Sequence, residues 1–155
     1  MYTNILGYKV FNETKESFLK ELDKRDKTIV ISGNPEVLYS GLENENLNKL
    51  FNGKDSIIIP DGVGTVIAAK MVKSPVKEKI AGIEVMRAVI EKCAKEEKRI
   101  YLLGAEEEIL KLCKENIKKE FPNIKIVGSH NGFFDLKEQL EAAKLGCNII
   151  YEYIK

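Results

Sequence analysis

The chain holds little of what marks several function classes. Among its 155 residues are three cysteines and one histidine. Cys93, Cys113 and Cys147 are scattered and odd in number, and Cys93 and Cys113 fall on apolar faces of helical patterns. A disulfide framework or a thiolate metal cluster is not expected from them; they read as small core hydrophobes in a reducing cytoplasm. His130 has no partner at metal-ligand spacing, which argues against zinc. Charge of one sign is also lacking: Lys+Arg 25 against Asp+Glu 24 leaves a net charge of +1. No global field recruits nucleic acid, so none is expected as a partner. No apolar run approaches the roughly 20 residues of a membrane-spanning helix. The first residues, MYTNILGYKVFNETK, show no basic segment followed by a long apolar run, so they do not read as a secretory signal. The expectation is a soluble or peripheral cytoplasmic protein with one domain over residues 1–155, long enough to bury a core without cross-links.

Three motifs are missing as well. The stretch GVGTVI half-matches a dinucleotide fingerprint, but Ile67 stands at its third glycine position, and the next strand ends in glycine rather than in a ribose-gripping acid. NGKDS lacks the upstream glycine of a phosphate-loop ATPase. No D-x-D occurs, so a sugar transferase whose metal is held by that motif is not indicated, and no metal is expected.

What is present alternates. Short β-branched runs (NILGYKV, TIVIS, SIIIP, RIYLLG, NIKIVGS, CNIIYEYI) are interleaved with helical patterns. These patterns are KESFLKELDKR, PEVLYSGLENENLNKLF as one or two helices, VGTVIAAKMV, the segment from Gly82 to Lys98, AEEEILKLCKENIKKEF and DLKEQLEAAKLG. VGTVIAAKMV is apolar nearly all round and is expected to be buried. Alternation of this kind predicts an α/β, Rossmann-like three-layer domain with a mainly parallel sheet and helices on both faces. Ligands in such sheets sit off the carboxyl ends of the strands.

That rule selects four turns: SGNPE from Ser32, PDGVG from Pro60, GAEEE from Gly104 and GSHNGFFD from Gly128. In PDGVG, Pro60 restricts Ile59 to extended backbone, while Gly62 and Gly64 allow a sharp turn into the helix. Asp61 stands at that helix entrance beside amides that could bind phosphate, either as a helix cap or as a chemical group. Gly104 and Ala105 are small enough for backbone to approach a diphosphate, and Glu106, Glu107 and Glu108 suit the helix dipole that follows. Ser32 or Asn34 could cap the helix begun by Pro35. His130 is open as a general base or as part of a turn.

Taken in order, ILGYKV, SGNPEVLY, IIIPDGVGTVIAAK with KEKIAGIEVM, YLLGAEEE and IVGSHNGFFD resemble the WecG/TagA/CpsF glycosyltransferase family over roughly residues 4–135. The resemblance implies inverting transfer of N-acetylmannosamine or a related hexose from a UDP-sugar. The implied acceptor is undecaprenyl-diphosphate-linked N-acetylglucosamine at the inner membrane face, in teichoic acid or surface polysaccharide synthesis. It also implies no cofactor or metal, self-association, and peripheral membrane contact. The family's aspartate after the proline falls on Asp61, the implied general base. Lys79 stands where the family commonly carries arginine and implies a phosphate contact without a bidentate fork. Ser32, Asn34 and Gly62, with the turns at Gly104–Ala105 and Asn131–Gly132, are the implied nucleotide-sugar contacts. The family continues beyond the strand of CNIIYEYIK into a turn with a Gln-Glu pair and a basic C-terminal appendage, neither of which has a counterpart before Lys155. The alternatives from other classes are a non-catalytic nucleotide-sugar-binding or scaffold domain and a phosphoacceptor signalling domain. The last needs an acidic pair on an earlier strand end, where TIVISGNPE offers only Glu36.

Overall fold

The computed structural model describes residues 1–132 and the backbone of 148–151. The expected helix in DLKEQLEAAKLG, the residues Phe133, Phe134 and Asp135, Cys147 and the end of the last strand lie outside the described residues. The chain forms two compact units, Met1–Val85 and Met86–Lys155.

The first unit opens with a difference from the sequence reading. NILGYKV does not form one strand; it lies within an antiparallel hairpin of β1 (Tyr2–Ile5) and β2 (Tyr8–Phe11). Leu6 and Gly7 both take positive φ, at 53° and 86°. Two positive φ values in a two-residue loop match the right-handed twist of the strands on either side, which is why such a loop closes a hairpin. After α1 (Lys15–Leu22) come β3 (Ile29–Ser32), α2 (Pro35–Glu43), α3 (Glu45–Phe51), β4 (Ser56–Ile59) and α4 (Val63–Met71). Asn44 separates α2 from α3 by capping the second, its side chain accepting from the amides of Asn46 and Leu47. The sheet order is β1-β2-β4-β3, with β2 and β3 both parallel to β4. Its core gathers Ile5, Tyr8, Val10, Ile31, Leu38, Phe51, Ile58 and Ala69. Each such aliphatic side chain, fully buried, contributes about 1.5–3 kcal/mol.

The helix α5 (Gly82–Lys95) begins in the first unit and ends in the second. The second unit continues with β5 (Arg99–Leu103), α6 (Glu107–Glu120), β6 (Lys125–His130) and β7 (Asn148–Tyr151). Its strands are parallel in the order β6-β5-β7. Ile90, Cys93, Ile100, Leu102, Leu110 and Ile124 form its core. Cys93 is buried as a small hydrophobe, Cys113 is half-buried, and neither is in a disulfide. The class is α/β and Rossmann-like, and among the described residues every strand pair is parallel except the β1-β2 hairpin.

One helix departs from expectation. α4 is apolar nearly all round, yet only Thr65 and Ala69 are buried, whereas Val63, Ile67 and Met71 are exposed. A helix covers a sheet with one face; composition does not report what covers the other.

Candidate active site

β3 and β4 pair in parallel with Ser32 opposite Ile59, so both run out at the same edge of the sheet. Past that edge the backbone is tied locally. The amides of Gly33 and Asp61 both donate to the Ile59 carbonyl, each at 2.9 Å. Gly62 then takes φ 82° and ψ 153°, a conformation that side-chain-bearing residues rarely adopt, and turns the chain into α4. A third segment is drawn in from further along the chain. Ile80 is fully buried and its amide donates to the Pro60 carbonyl at 3.0 Å. That anchor sets the start of α5 beside the β4 turn, where the Gly82 amide donates to Asp61 Oδ2 at 3.1 Å.

Asp61 is therefore not the cap of α4. The N-cap of α4 is Gly62, which has no side chain to accept a hydrogen bond. The carboxylate instead serves α5, whose first amides carry the positive end of a helix dipole. Its Oδ1 has no hydrogen-bond partner among the described residues, and the side chain is half-buried. Gly82 packs closely here: a methyl group on it would collide with Ser32 Oγ and would lie 3.4 Å from Asp61 Oδ2. Ser32, Asp61 and the α5 entrance thus meet at one point, and the Ser32 hydroxyl also has no hydrogen-bond partner among the described residues.

Asn34 caps α2, its Oδ1 accepting from the Val37 amide at 2.9 Å with Pro35 at the first helical position. Its amide nitrogen is not used by the cap. Lys79 is exposed and forms no ion pair among the described residues. Its charge is nonetheless felt at Glu84 in the first turn of α5. A hydrogen bond from Lys15 holds the Glu84 carboxyl below the usual glutamate range, the charge of Lys15 adds to this, and Lys79 contributes in the same direction. In this first unit, Asp61 and Ser32 are drawn to the α5 entrance, Asn34 and Gly62 flank them at the two strand ends, and Lys79 sits on the segment leading into α5.

The second unit holds the other expected residues in its own cluster. Gly104 has φ 121° and Ala105 φ 60°, a left-handed backbone that costs a residue with a Cβ on the order of 1 kcal/mol. The Gly104 amide donates to the His130 carbonyl at 3.0 Å, and the Gly132 amide to the Ala105 carbonyl at 2.9 Å. A Cβ on Gly132 would sit 3.4 Å from both Ala105 N and Gly104 Cα, so the two turns are in close contact. Asn131 donates from Nδ2 to Glu107 Oε2 at 3.2 Å. Glu106 is the N-cap of α6 but makes no side-chain capping bond. Both helices that follow the PDGVG and GAEEE turns, α4 and α6, thus enter without a side-chain acceptor on their first amides. Among the described residues, no group of three or more His, Cys, Asp or Glu could hold a metal ion.

Two positions escaped the sequence reading of the site. Gly82 touches both Ser32 and Asp61, and its only local signal was a glycine at the first position of a helix. Thr65, buried in α4, donates from Oγ1 to the Gly33 carbonyl at 2.6 Å and so fixes the β3 turn. It carried no local signal, because its partner lies 32 residues away.

Known proteins are similar to this chain in sequence. A relative from Bacillus spizizenii is 29% identical over 122 residues, covering 79% of this chain and 46% of that protein. One from Bacillus subtilis is 28% identical over 112 residues, covering 72% and 43%. One from Staphylococcus aureus is 25% identical over 142 residues, covering 88% and 55%. All three are named N-acetylglucosaminyldiphosphoundecaprenol N-acetyl-beta-D-mannosaminyltransferase. The chain spans about half the length of the curated relatives it matches. The model of the glycosyl transferase WecG/TagA/CpsF family matches residues 3–149, which takes in both compact units and all four ligand-edge turns, and on that match the chain belongs to this family.

Proposed function

We propose that this chain is the sugar-transferring core of an inverting glycosyltransferase. In this reading it moves N-acetylmannosamine, or a related hexose, from a UDP-sugar to N-acetylglucosaminyl-diphosphoundecaprenol at the inner membrane face, for wall teichoic acid or surface polysaccharide. The relatives' shared name supports the acceptor and the transferred sugar. The observation that carries the reading is the Asp61 carboxylate, with Oδ2 fixed by the Gly82 amide and Oδ1 unpartnered among the described residues at the ligand edge. A carboxylate so oriented can take a proton without first breaking its anchor.

The proposed step balances as follows. The acceptor hydroxyl oxygen attacks the anomeric carbon from the face opposite the diphosphate and forms the new glycosidic bond. The bond from the sugar to the diphosphate oxygen breaks, and UDP leaves with the electron pair. The hydroxyl proton passes to Asp61 Oδ1, the general-base role that such a group fills in proton-coupled attack. Charge on the departing diphosphate is met by the uncapped amides at the α4 entrance and by Lys79 as a point charge. Ser32, Asn34 and Gly62 contact the donor in the first unit. No residue in this scheme requires a metal ion, and further copies of the chain are its expected protein partner.

Calorimetric titration with UDP, followed by transfer to the lipid acceptor, tests the proposal. Saturable binding is expected, weakened by Lys79→Ala and kept by Asp61→Asn, whereas transfer by Asp61→Asn should fall about 10²–10⁴-fold. UDP binding with transfer untouched by Asp61→Asn would make Asp61 structural. Binding without any transfer would favour the nucleotide-sugar-binding domain, and absence of saturable binding would remove the nucleotide site.

A further inference from the structure

Lys79 and Gly82 stand at the end of the connection from α4 to α5, and what holds that connection in place lies outside the proposed chemistry. Residues 74–81 form neither helix nor strand, so their peptide groups need partners outside a regular ladder. Those partners come from the start of the chain. Asn12 Nδ2 donates to the Pro75 carbonyl at 3.2 Å, and Asn12 Oδ1 accepts from the Lys77 amide at 2.8 Å. A carbonyl and an amide two residues apart are what a parallel strand offers its neighbour, so this one carboxamide stands where a strand's peptide would. The same Nδ2 donates to Thr3 Oγ1 at 2.8 Å, and Thr3, buried in β1, donates to the Ser74 carbonyl at 3.0 Å.

The ties continue to the candidate site. Glu78 Oε2 accepts from the Lys15 amide at 2.8 Å, the Ile80 amide donates to the Pro60 carbonyl at 3.0 Å, and the Gly82 amide donates to Asp61 Oδ2 at 3.1 Å. Lys79 lies between the first two of these, so an exposed and flexible side chain starts from a fixed backbone. Asn12 reaches the site only through this run of bonds.

We propose that Asn12, seated on Thr3, is a positioning residue. By clamping residues 74–77 to the β1-β2 hairpin it holds Gly82 on the Asp61 carboxylate and sets the backbone from which Lys79 meets a diphosphate. The consequence for Lys79 rests on the transferase reading, whereas the clamp itself does not. All the residues concerned lie in the first compact unit.

Amide hydrogen exchange of the full chain, followed by NMR, and calorimetric titration with UDP test this together. In Asn12→Ala, exchange at Gly82 relative to Gly33, whose amide is held by the Ile59 carbonyl, should quicken about 10-fold, as for one net hydrogen bond lost. Thr3→Val, nearly the same shape without the hydroxyl, should act in the same direction, and Thr3→Ser should restore the parent ratio. Asn48→Ala removes a side-chain bond to the Tyr8 hydroxyl elsewhere in the unit and should leave the ratio unmoved. UDP binding should weaken about 3- to 10-fold in Asn12→Ala, yet the same change should cost nothing further once Lys79→Ala is present. A ratio unchanged by Asn12→Ala, or changed equally by Asn48→Ala, would overturn the clamp. A raised ratio with UDP affinity unchanged, or losses that add in the double variant, would overturn the positioning of Lys79. A parent chain that binds no UDP would sink the nucleotide reading instead, and the exchange ratio would still decide the clamp.

Discussion

Asp61 Oδ2 anchors the α5 entrance, while Oδ1 has no hydrogen-bond partner among the described residues. Ser32 and Gly82 set how tightly that arrangement is held. Gly82→Ala forces the new methyl onto Ser32 Oγ, and overpacking of this sort costs about 1–3 kcal/mol. Urea unfolding should show that loss, and under the proposed function transfer should fall with it as the Asp61 anchor shifts. Adding Ser32→Ala removes the colliding atom, so the double variant should be more stable than the sum of the single changes predicts. Strict additivity would mean that the α5 entrance relaxes by another route. The PDGVG elbow was legible in the sequence because Pro60 and Gly62 constrain the backbone on their own. The partner of Asp61 was not, because the amide it accepts lies 21 residues further on and arrives only when Ile80 buries itself under the Pro60 turn.

The elements that carry the site are held by single polar contacts whose loss is measurable. Asn34→Ala removes the α2 cap and should lower stability by about 1 kcal/mol, while Asn34→Asp, which still accepts from the Val37 amide, should retain most of it. Thr65→Val preserves shape but strips the donor from the buried Gly33 carbonyl, a loss of about 1–3 kcal/mol. If unfolding shows no change, water or a backbone shift has replaced the bond. Most elements could be read from periodicity, since α1, α5 and α6 each have one apolar face and β3, β4 and β5 are short β-branched or aliphatic runs between turns. Two misreadings have physical causes. The hairpin hid inside one apolar run because Leu6 occupies a left-handed turn position that more often belongs to Gly, Asn or Asp. α4 read as buried because its outer face is apolar, although only Thr65 and Ala69 on its inner face are covered.

Over the molecule as a whole, nearly balanced charge leaves little net field, so pH acts through named pairs. In the first unit, Lys77 reaches Glu13 at 2.6 Å and Lys15 reaches Glu84 at 2.9 Å, joining the start of the chain to the segment that delivers Gly82. Hydrogen bonds from these lysines hold the carboxyls of Glu13 and Glu84 below the ordinary value of about 4.3. The Lys15 ammonium is correspondingly raised by Glu84 above its ordinary value of about 10.4. For a depressed acid, the stabilisation is complete above its unfolded pKa and disappears as pH falls through the folded one. For a raised base, it is complete below the unfolded pKa and disappears as pH rises through the folded one. Stability from these pairs should therefore be flat between roughly pH 5 and pH 9 and decline on both sides. Glu84 and Lys77 are exposed and Glu13 and Lys15 only half-buried, so each decline should be small and should shrink in high salt. Glu84→Gln distinguishes this account from general acid unfolding, because it deletes one pair that contributes to both limbs. Thermal melts of the variant should show a shallower fall than the parent chain near pH 3.5 and again above about pH 10.4. Parallel curves for the two proteins would mean that the Lys15–Glu84 pair adds nothing to holding the α5 entrance in place.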